Sequence, residues 1–139
     1  MAVSRETMNT LPQVLIRDMT QHDVPAVMRI ENASYPFPWS EGIFRDCLRV
    51  GYVCCVVEID DILIGYGVMS TGAGEAHILN LCISEPFRAR GLGAQMLEHL
   101  MEFAASLGVG GQPRQSVATI HQLFNFQFQD NLLDPALSD

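Results

Sequence analysis

The sequence predicts an α+β domain in which a mostly antiparallel sheet is flanked by helices. β-rich runs and amphipathic helical stretches follow one another in the order β-α-α-β-β-β-α up to residue 108. The last three β runs are joined by turns too short for a crossover, so neighbours in that stretch pair antiparallel. With 139 residues of which 48% are apolar, the chain can bury a sizeable single core, and whole-chain disorder is excluded.

Each element has a local reason. Gln13 to Arg17 is a short β-like run, and Thr20 with Asp23 makes a capping box that opens a helix reaching about Ala33. Val24, Val27, Met28 and Ile30 form that helix's apolar stripe. The segment Ser34-Tyr35-Pro36-Phe37-Pro38-Trp39-Ser40 breaks helix twice with proline, and Ser40 caps a second helix with Ile43, Phe44, Cys47 and Leu48 on one face. Tyr52 to Glu58 and Ile62 to Met69 read as a hairpin around Ile59-Asp60-Asp61, with a bend expected at Gly65 and Gly67. After the turn Thr71-Gly72-Ala73-Gly74, Glu75 to Ile83 is a further strand. Two-residue alternation puts Glu75, His77, Leu79, Leu81 and Ile83 on one of its faces. A last helix carries the stripe Leu92, Met96, Leu97, Leu100, Phe103, Ala104 and Leu107, and Gly108 ends it.

Composition narrows the function classes. A formal charge of −8 leaves no basic face for nucleic acid and suits a basic polypeptide partner. All eight cationic side chains are arginine, which excludes Schiff-base lysines and lysine general bases. Cys47, Cys54, Cys55 and Cys82 lack metal-ligand spacing and sit in apolar runs, as reduced buried thiols of a cytoplasmic protein would; no metal site is expected. No signal core and no membrane-spanning stretch is read in the chain, so neither export nor membrane association is expected.

The most informative segment is Arg88-Ala89-Arg90-Gly91-Leu92-Gly93-Ala94, set between the last strand and the last helix. Glycines at 91 and 93 let the backbone take positive φ and approach a ligand, and the helix start adds its positive dipole end. That is a cradle for phosphate oxygens. Its spacing fits neither a dinucleotide-binding unit, which needs a third glycine and a later acidic residue, nor a Walker loop, which needs lysine.

The spacing Arg88-x-x-Gly91-x-Gly93, with the element order, resembles the pyrophosphate loop of the GNAT superfamily of N-acetyltransferases. Three separated stretches are similar to the bacterial ribosomal-protein-alanine N-acetyltransferase family: Phe37-Pro38-Trp39-Ser40-Glu41, Gly74 to Leu81, and Arg88 to Leu100. The resemblance covers roughly residues 11 to 109. It implies the acyl-CoA acyltransferase fold, acetyl-CoA as cosubstrate, and transfer of acetyl to the N-terminal alanine amine of a small-subunit ribosomal protein. On its pattern Leu81, Cys82 and Ile83 offer strand backbone to the pantetheine arm and acetyl group. Arg88, Ala89, Arg90, Gly91, Leu92, Gly93 and Ala94 hold the pyrophosphate, and Tyr35, Phe37, Pro38 and Trp39 line the peptide entrance.

Direct attack on a thioester needs a neutral amine, while a free α-amino group titrates near 7.7–8.0. A carboxylate or imidazole must therefore take a proton. Glu75 and His77 are the base candidates this chain offers, on the expected strand face.

The resemblance stops after Val109. The family continues with a strand carrying its usual base Glu and a cofactor-contacting Asn, and with a helix carrying its usual acid Tyr; this chain has no Glu after Glu102 and no Tyr after Tyr66. The expectation is an N-acetyltransferase core over residues 1–109 and a divergent tail over 110–139, with the carboxy-terminal elements incomplete through a frame shift or truncation. An alternative is a remnant that binds acetyl-CoA or a polypeptide without efficient turnover. Phe124, Phe126 and Phe128 alternate with polar residues, which suits a substitute strand. Loss of the usual strand would also expose a sheet edge through which copies self-associate.

Overall fold

The computed structural model describes residues 13–108. Its elements are β1 (Val14–Asp18), α1 (Val24–Ser34), α2 (Glu41–Arg49), β2 (Val53–Ile59), β3 (Ile62–Gly72), β4 (Glu75–Ile83) and α3 (Leu92–Ser106), with single 3-10 turns at Gln21–Asp23 and Glu85–Phe87. The sheet of described residues runs β1-β2-β3-β4, every neighbour antiparallel. The expected tail lies outside the described residues, as do the phenylalanines at 124, 126 and 128.

Both hairpins turn in two residues with positive φ, at Asp60 (51°) with Asp61 (70°) and at Ala73 (53°) with Gly74 (76°). That twist matches strand twist, and it favours Asn-Gly-like pairs. Neither Asp60 nor Asp61 has the freedom of glycine. Asp61→Gly should therefore raise stability by about 0.5–1 kcal/mol, read as a higher urea midpoint with unchanged slope.

The sheet separates two apolar layers. On one face α3 lays Leu92, Met96, Leu97, Leu100 and Ala104 over Cys55, Val57, Ile64, Met69, Ala76, Ile78, Leu81 and Ile83. On the other, α1 and α2 cover Cys54, Val56, Tyr66, Val68 and Cys82 with Val24, Val27, Ile30, Phe44 and Cys47. Two positions read as core are instead half exposed at the far end of α3, Phe103 and Leu107, and on α2 Ile43 is likewise exposed. Only positions aimed squarely at the sheet are covered. α3 packs closely over Gly67, where a Cβ would stand 3.0 Å from Leu100 Cδ1 and 3.2 Å from Met96 Cγ.

The glycine-rich middle of β3 does not simply bend the strand. Its register slips by one residue against β2 between Val57 and Glu58, and β4 slips against β3 between Val68 and Met69. The second slip leaves Leu79 without an opposite residue and inverts the alternation of β4. Ala76 and Ile78 face α3, and beyond the bulge so do Leu81 and Ile83. Glu75 and His77 therefore do not share a face with Leu81 and Ile83, contrary to the simple alternation.

The start of α1 is fastened to the sheet by charge. The Arg17 guanidinium bonds both Asp23 oxygens at 2.9 Å and Glu58 at 2.7 Å. This bonding, with backbone and side-chain bonds from Thr20, holds the Asp23 carboxyl down at about 2 against the partial burial that opposes it. The folded value lies below the ordinary 3.8, so Asp23 contributes fully above about pH 4, and the contribution is lost as pH falls toward 2. Urea midpoints of the native chain and Asp23→Asn should differ at pH 6 and converge near pH 2.

Candidate acyl-CoA site

The site is built where β4 ends and α3 begins. The Ser84 N–H donates to the Ile64 carbonyl at 2.7 Å, and the register pairs Tyr66 with Cys82 and Val68 with Asn80. Antiparallel hydrogen-bonded pairs alternate, so Cys82 and Asn80 turn their backbone groups toward β3, whereas Leu81 and Ile83 turn theirs away from it. Because β4 is the last strand of the described sheet, these groups line its outer edge.

The two outward carbonyls are already engaged. The Tyr35 hydroxyl donates to the Leu81 carbonyl at 2.8 Å, and Arg88 Nε donates to the Ile83 carbonyl at 2.8 Å. Arg88 also reaches Ser34 Oγ at 3.0 Å, tying the end of β4 to the end of α1. The N–H groups of Leu81 and Ile83 have no partner among the described residues. What this edge offers a ligand is donors.

A few residues on, Ala89 (φ 64°) and Gly91 (φ 78°) flank Arg90 in left-handed conformations, a backbone concavity whose N–H groups converge. Gly91 caps α3 without a side chain, and Gln95 makes the first bond back to it. The N–H groups of Leu92, Gly93 and Ala94 thus have no partner within the helix, and they point where the dipole favours an anion. Arg90 lies over the Phe87 ring at 5.3 Å and adds positive charge at the rim. The donors suit pyrophosphate oxygens here and amide or thioester carbonyls along β4.

The residues expected at the peptide entrance divide. Tyr35 is 5% exposed and belongs to the core and to the β4 edge, because its ring packs under α1 while its hydroxyl serves Leu81. Trp39 is half-buried with its ring 5.2 Å from that of Phe44. Pro38 is exposed, and Phe37 is 86% exposed, a large apolar side chain left in solvent.

Glu75 and His77 are both exposed and bonded to each other at 2.9 Å near the β3–β4 turn. At the rise of a β-strand, the six steps from Glu75 to Leu81 span about 20 Å. The structure does not bring these base candidates together with the outward groups of Leu81 and Ile83. The Cys82 thiol is buried beneath the same strand, and burial raises its pKa, as it does for Cys54, pushed up to about 12, and Cys55, to about 11. None of these is a ready thiolate nucleophile.

The polar centre missing from the sequence reading is Glu31, fully buried inside the α1 layer. Tyr66 Oη and Asn80 Nδ2 donate to its Oε1 at 2.5 and 3.0 Å, and the Trp39 backbone N–H donates to Oε2 at 2.8 Å. One carboxylate thereby joins α1, β3, the β4 bulge and the Pro36–Trp39 segment. Asn80 Oδ1 is buried with no partner among the described residues. A charged residue seven positions after Val24 and four after Val27, squarely on the apolar stripe, was the available signal.

With this geometry in place, the class is settled: the chain belongs to the acetyltransferase (GNAT) family, whose model matches residues 24–113. Among similar proteins are the ribosomal protein bS18-alanine N-acetyltransferases of Salmonella typhimurium, 32% identical over 87 residues covering 63% of this chain, and of Escherichia coli, 27% identical over 94 residues covering 68%. The chain spans about three fifths of their length, 59% and 64% respectively. The crystal structure of the Escherichia coli ribosomal-protein-alanine N-acetyltransferase superposes with a TM-score of 0.66 at 26% identity, covering 70% of this chain and 63% of that one. An Escherichia coli GNAT N-acetyltransferase solved in complex with CoA gives 0.63 at 19% identity, covering 71% of this chain and 60% of that one, a likeness of fold alone. No helix among the described residues is long and apolar enough to cross a membrane.

Proposed function

We propose that this chain binds acetyl-coenzyme A between the β4 edge and the Arg88–Ala94 loop, and acts as a protein N-terminal acetyltransferase on an alanine amine of a ribosomal protein. The observation that carries it is the presence of two backbone donor sets a few residues apart, the outward N–H groups of Leu81 and Ile83 and the N–H groups of the first turn of α3. The first set suits the carbonyls of the acetyl and pantetheine parts; the second suits the pyrophosphate. When bound, acetyl-coenzyme A supplies a thioester whose carbonyl a neutral amine attacks. The exposed Phe37 and Pro38 are apolar surface for the peptide. The ribosomal substrate rests on the named relatives, to which this chain is similar over matched lengths of 87 and 94 residues.

A second reading, a protein that binds acetyl-coenzyme A without efficient turnover, is favoured by one observation. Glu75 and His77 lie near the far end of β4, and the Glu31 oxygens already accept three hydrogen bonds from Tyr66, Asn80 and Trp39. Among the described residues no carboxylate or imidazole is seen poised for a proton at the Leu81–Ile83 edge.

The binding claim is tested by strain at one point. Gly91 (φ 78°) and Gly51 (φ 86°) both have open space where a Cβ would go, so alanine at either costs a comparable 1–2 kcal/mol or so of backbone strain. Calorimetric titration with coenzyme A should show at least tenfold weaker binding for Gly91→Ala and unchanged binding for Gly51→Ala. Equal affinities would place the phosphates elsewhere. Acetylation of an alanine-starting peptide, measured beside the titration, separates the two readings: binding with turnover supports the enzyme, binding without it the remnant.

A further inference from the structure

We infer that Arg88 is a positioning residue that serves ligand binding by its geometry and not by its charge: its guanidinium clamps β4 to α1 and thereby fixes the start of the anion loop. This rests on the acetyl-coenzyme A reading for the identity of the ligand, and the two are overturned by different results.

An arginine that opens a glycine loop is read most simply as a phosphate contact. Here the protein itself holds it. Arg88 Nε donates to the Ile83 carbonyl at 2.8 Å, and a terminal nitrogen of the same guanidinium donates to Ser34 Oγ at 3.0 Å. Ile83 is the last residue of β4 and Ser34 the last of α1, so one planar fork joins two elements across 54 positions of chain. The Arg88 backbone N–H is bonded as well, to the Glu85 carbonyl at 3.2 Å. Main chain and side chain are both anchored.

The next residue gives that anchor a purpose. Ala89 takes φ 64°, a left-handed conformation that costs an L side chain energy and persists where its surroundings impose it. Gly91 follows at φ 78°, and the intervening N–H groups converge only while Ala89 keeps this conformation. Beyond Gly91 the chain is held by Leu92, Met96 and Leu97 of α3, buried against the sheet. Before Ala89 it is held by Arg88.

Arg90 is the contrast within the same loop. It is exposed and lies over the Phe87 ring at 5.3 Å, with no ion pair or hydrogen bond to hold it among the described residues. Such a side chain offers charge. Lysine separates the two tasks, because it keeps the cation but lacks a planar fork that spans two fixed acceptors.

Calorimetric titration of the full chain with coenzyme A, at a temperature where unfolding curves show every variant folded, decides between them. Arg88→Lys should bind at least tenfold more weakly than native, whereas Arg90→Lys should stay within about twofold of it. Arg90→Gln should weaken binding at low salt, and its deficit should shrink as salt is raised. Ser34→Ala alone should weaken binding about threefold, and added to Arg88→Lys it should weaken nothing further. Ser34 also bonds the buried Cys82 thiol, and an effect carried by that route would persist in the Arg88→Lys background. A merely structural loss would lower the melting temperature and leave the affinity of the folded chain unchanged.

Arg88→Lys at native affinity, or Ser34 and Arg88 losses that simply add, would overturn the inference. Should Arg88→Lys fold poorly, Ser34→Ala is compared with Ser34→Thr, which keeps the hydroxyl: a loss in alanine that threonine restores supports the clamp, and equal affinities overturn it. A native chain that does not bind coenzyme A sinks the ligand reading and the inference together. Native binding that is indifferent to Arg88 and Ser34 sinks the clamp alone.

Discussion

Glu31→Ala should destabilise the folded chain by about 3–5 kcal/mol, among the largest effects expected of any single truncation in the described domain. The carboxylate is fully buried and receives the Tyr66 hydroxyl, the Asn80 amide and the Trp39 N–H. Alanine leaves all three donors inside the α1 layer with nothing to accept them. For a domain near 100 residues such a loss lowers the melting temperature by roughly 12 °C or more. Glu31→Gln keeps the shape and one acceptor oxygen, but it turns a donor toward groups that also donate, so an intermediate loss is expected. Urea denaturation of the three proteins measures the series. A loss below about 1 kcal/mol for alanine would mean that water reaches the site and satisfies the donors, and that the network organises little.

The second large effect falls at Gly65. A Cβ there would stand 2.6 Å from Ile83 Cδ1, 2.8 Å from the Cys82 carbonyl oxygen and 2.9 Å from Val57 Cγ1. The Ile83 methyl can rotate aside; the Cys82 carbonyl is backbone and moves only with β4. Gly65→Ala should cost about 1–3 kcal/mol and Gly65→Val more. Since Cys82 lies between the two residues that carry the outward donors, coenzyme A affinity should drop along with stability. Gly72→Ala, where a Cβ meets nothing within 4 Å, is the matched control on the same strand and should be close to neutral. A Gly65→Ala chain as stable as that control would show that β4 shifts without penalty.

These two sites mark the boundary of what is legible in the sequence. Elements with local causes read through directly: the Ser40 cap accepting from Ile43 at 3.2 Å, the two-residue turn at Asp60-Asp61, the Arg88–Ala94 loop opening α3. Each depends on residues within four or five positions of one another. The roles of Tyr35 and Glu31 did not read through, because their partners lie far along the chain; Arg88 bonds the Ile83 carbonyl five positions back but is also held by Ser34, 54 positions away. Tyr35 meets Leu81 across 46 residues, and Glu31 meets Asn80 across 49. Local pattern then assigns a tyrosine after a helix to an entrance and an arginine before glycines to an anion, while the fold uses both side chains to cap carbonyls.

The face expected to carry Glu75 and His77 together with Leu81 and Ile83 is broken for a related reason. Alternation along Glu75 to Ile83 presumes an uninterrupted two-residue period, and one extra residue at Leu79 inverts it. Nothing within β4 announces that bulge except Asn80, a polar side chain in an apolar run, whose amide is bonded to Glu31 on another element. A helix residue thus accompanies a strand irregularity that local periodicity has no means to anticipate.

The sequence by itself determined the element order, the antiparallel meander, the glycine loop that opens α3 and the family, because hydrophobic period, turn chemistry and glycine spacing act over short distances. Only the tertiary structure decided which way the backbone of Leu81 and Ile83 faces, which carbonyls are taken, and where Glu75 and His77 end up. Those depend on strand register and on contacts such as Tyr35–Leu81 and Glu31–Asn80 that close across more than forty residues, and register is settled by packing of whole layers rather than by any stretch of chain alone.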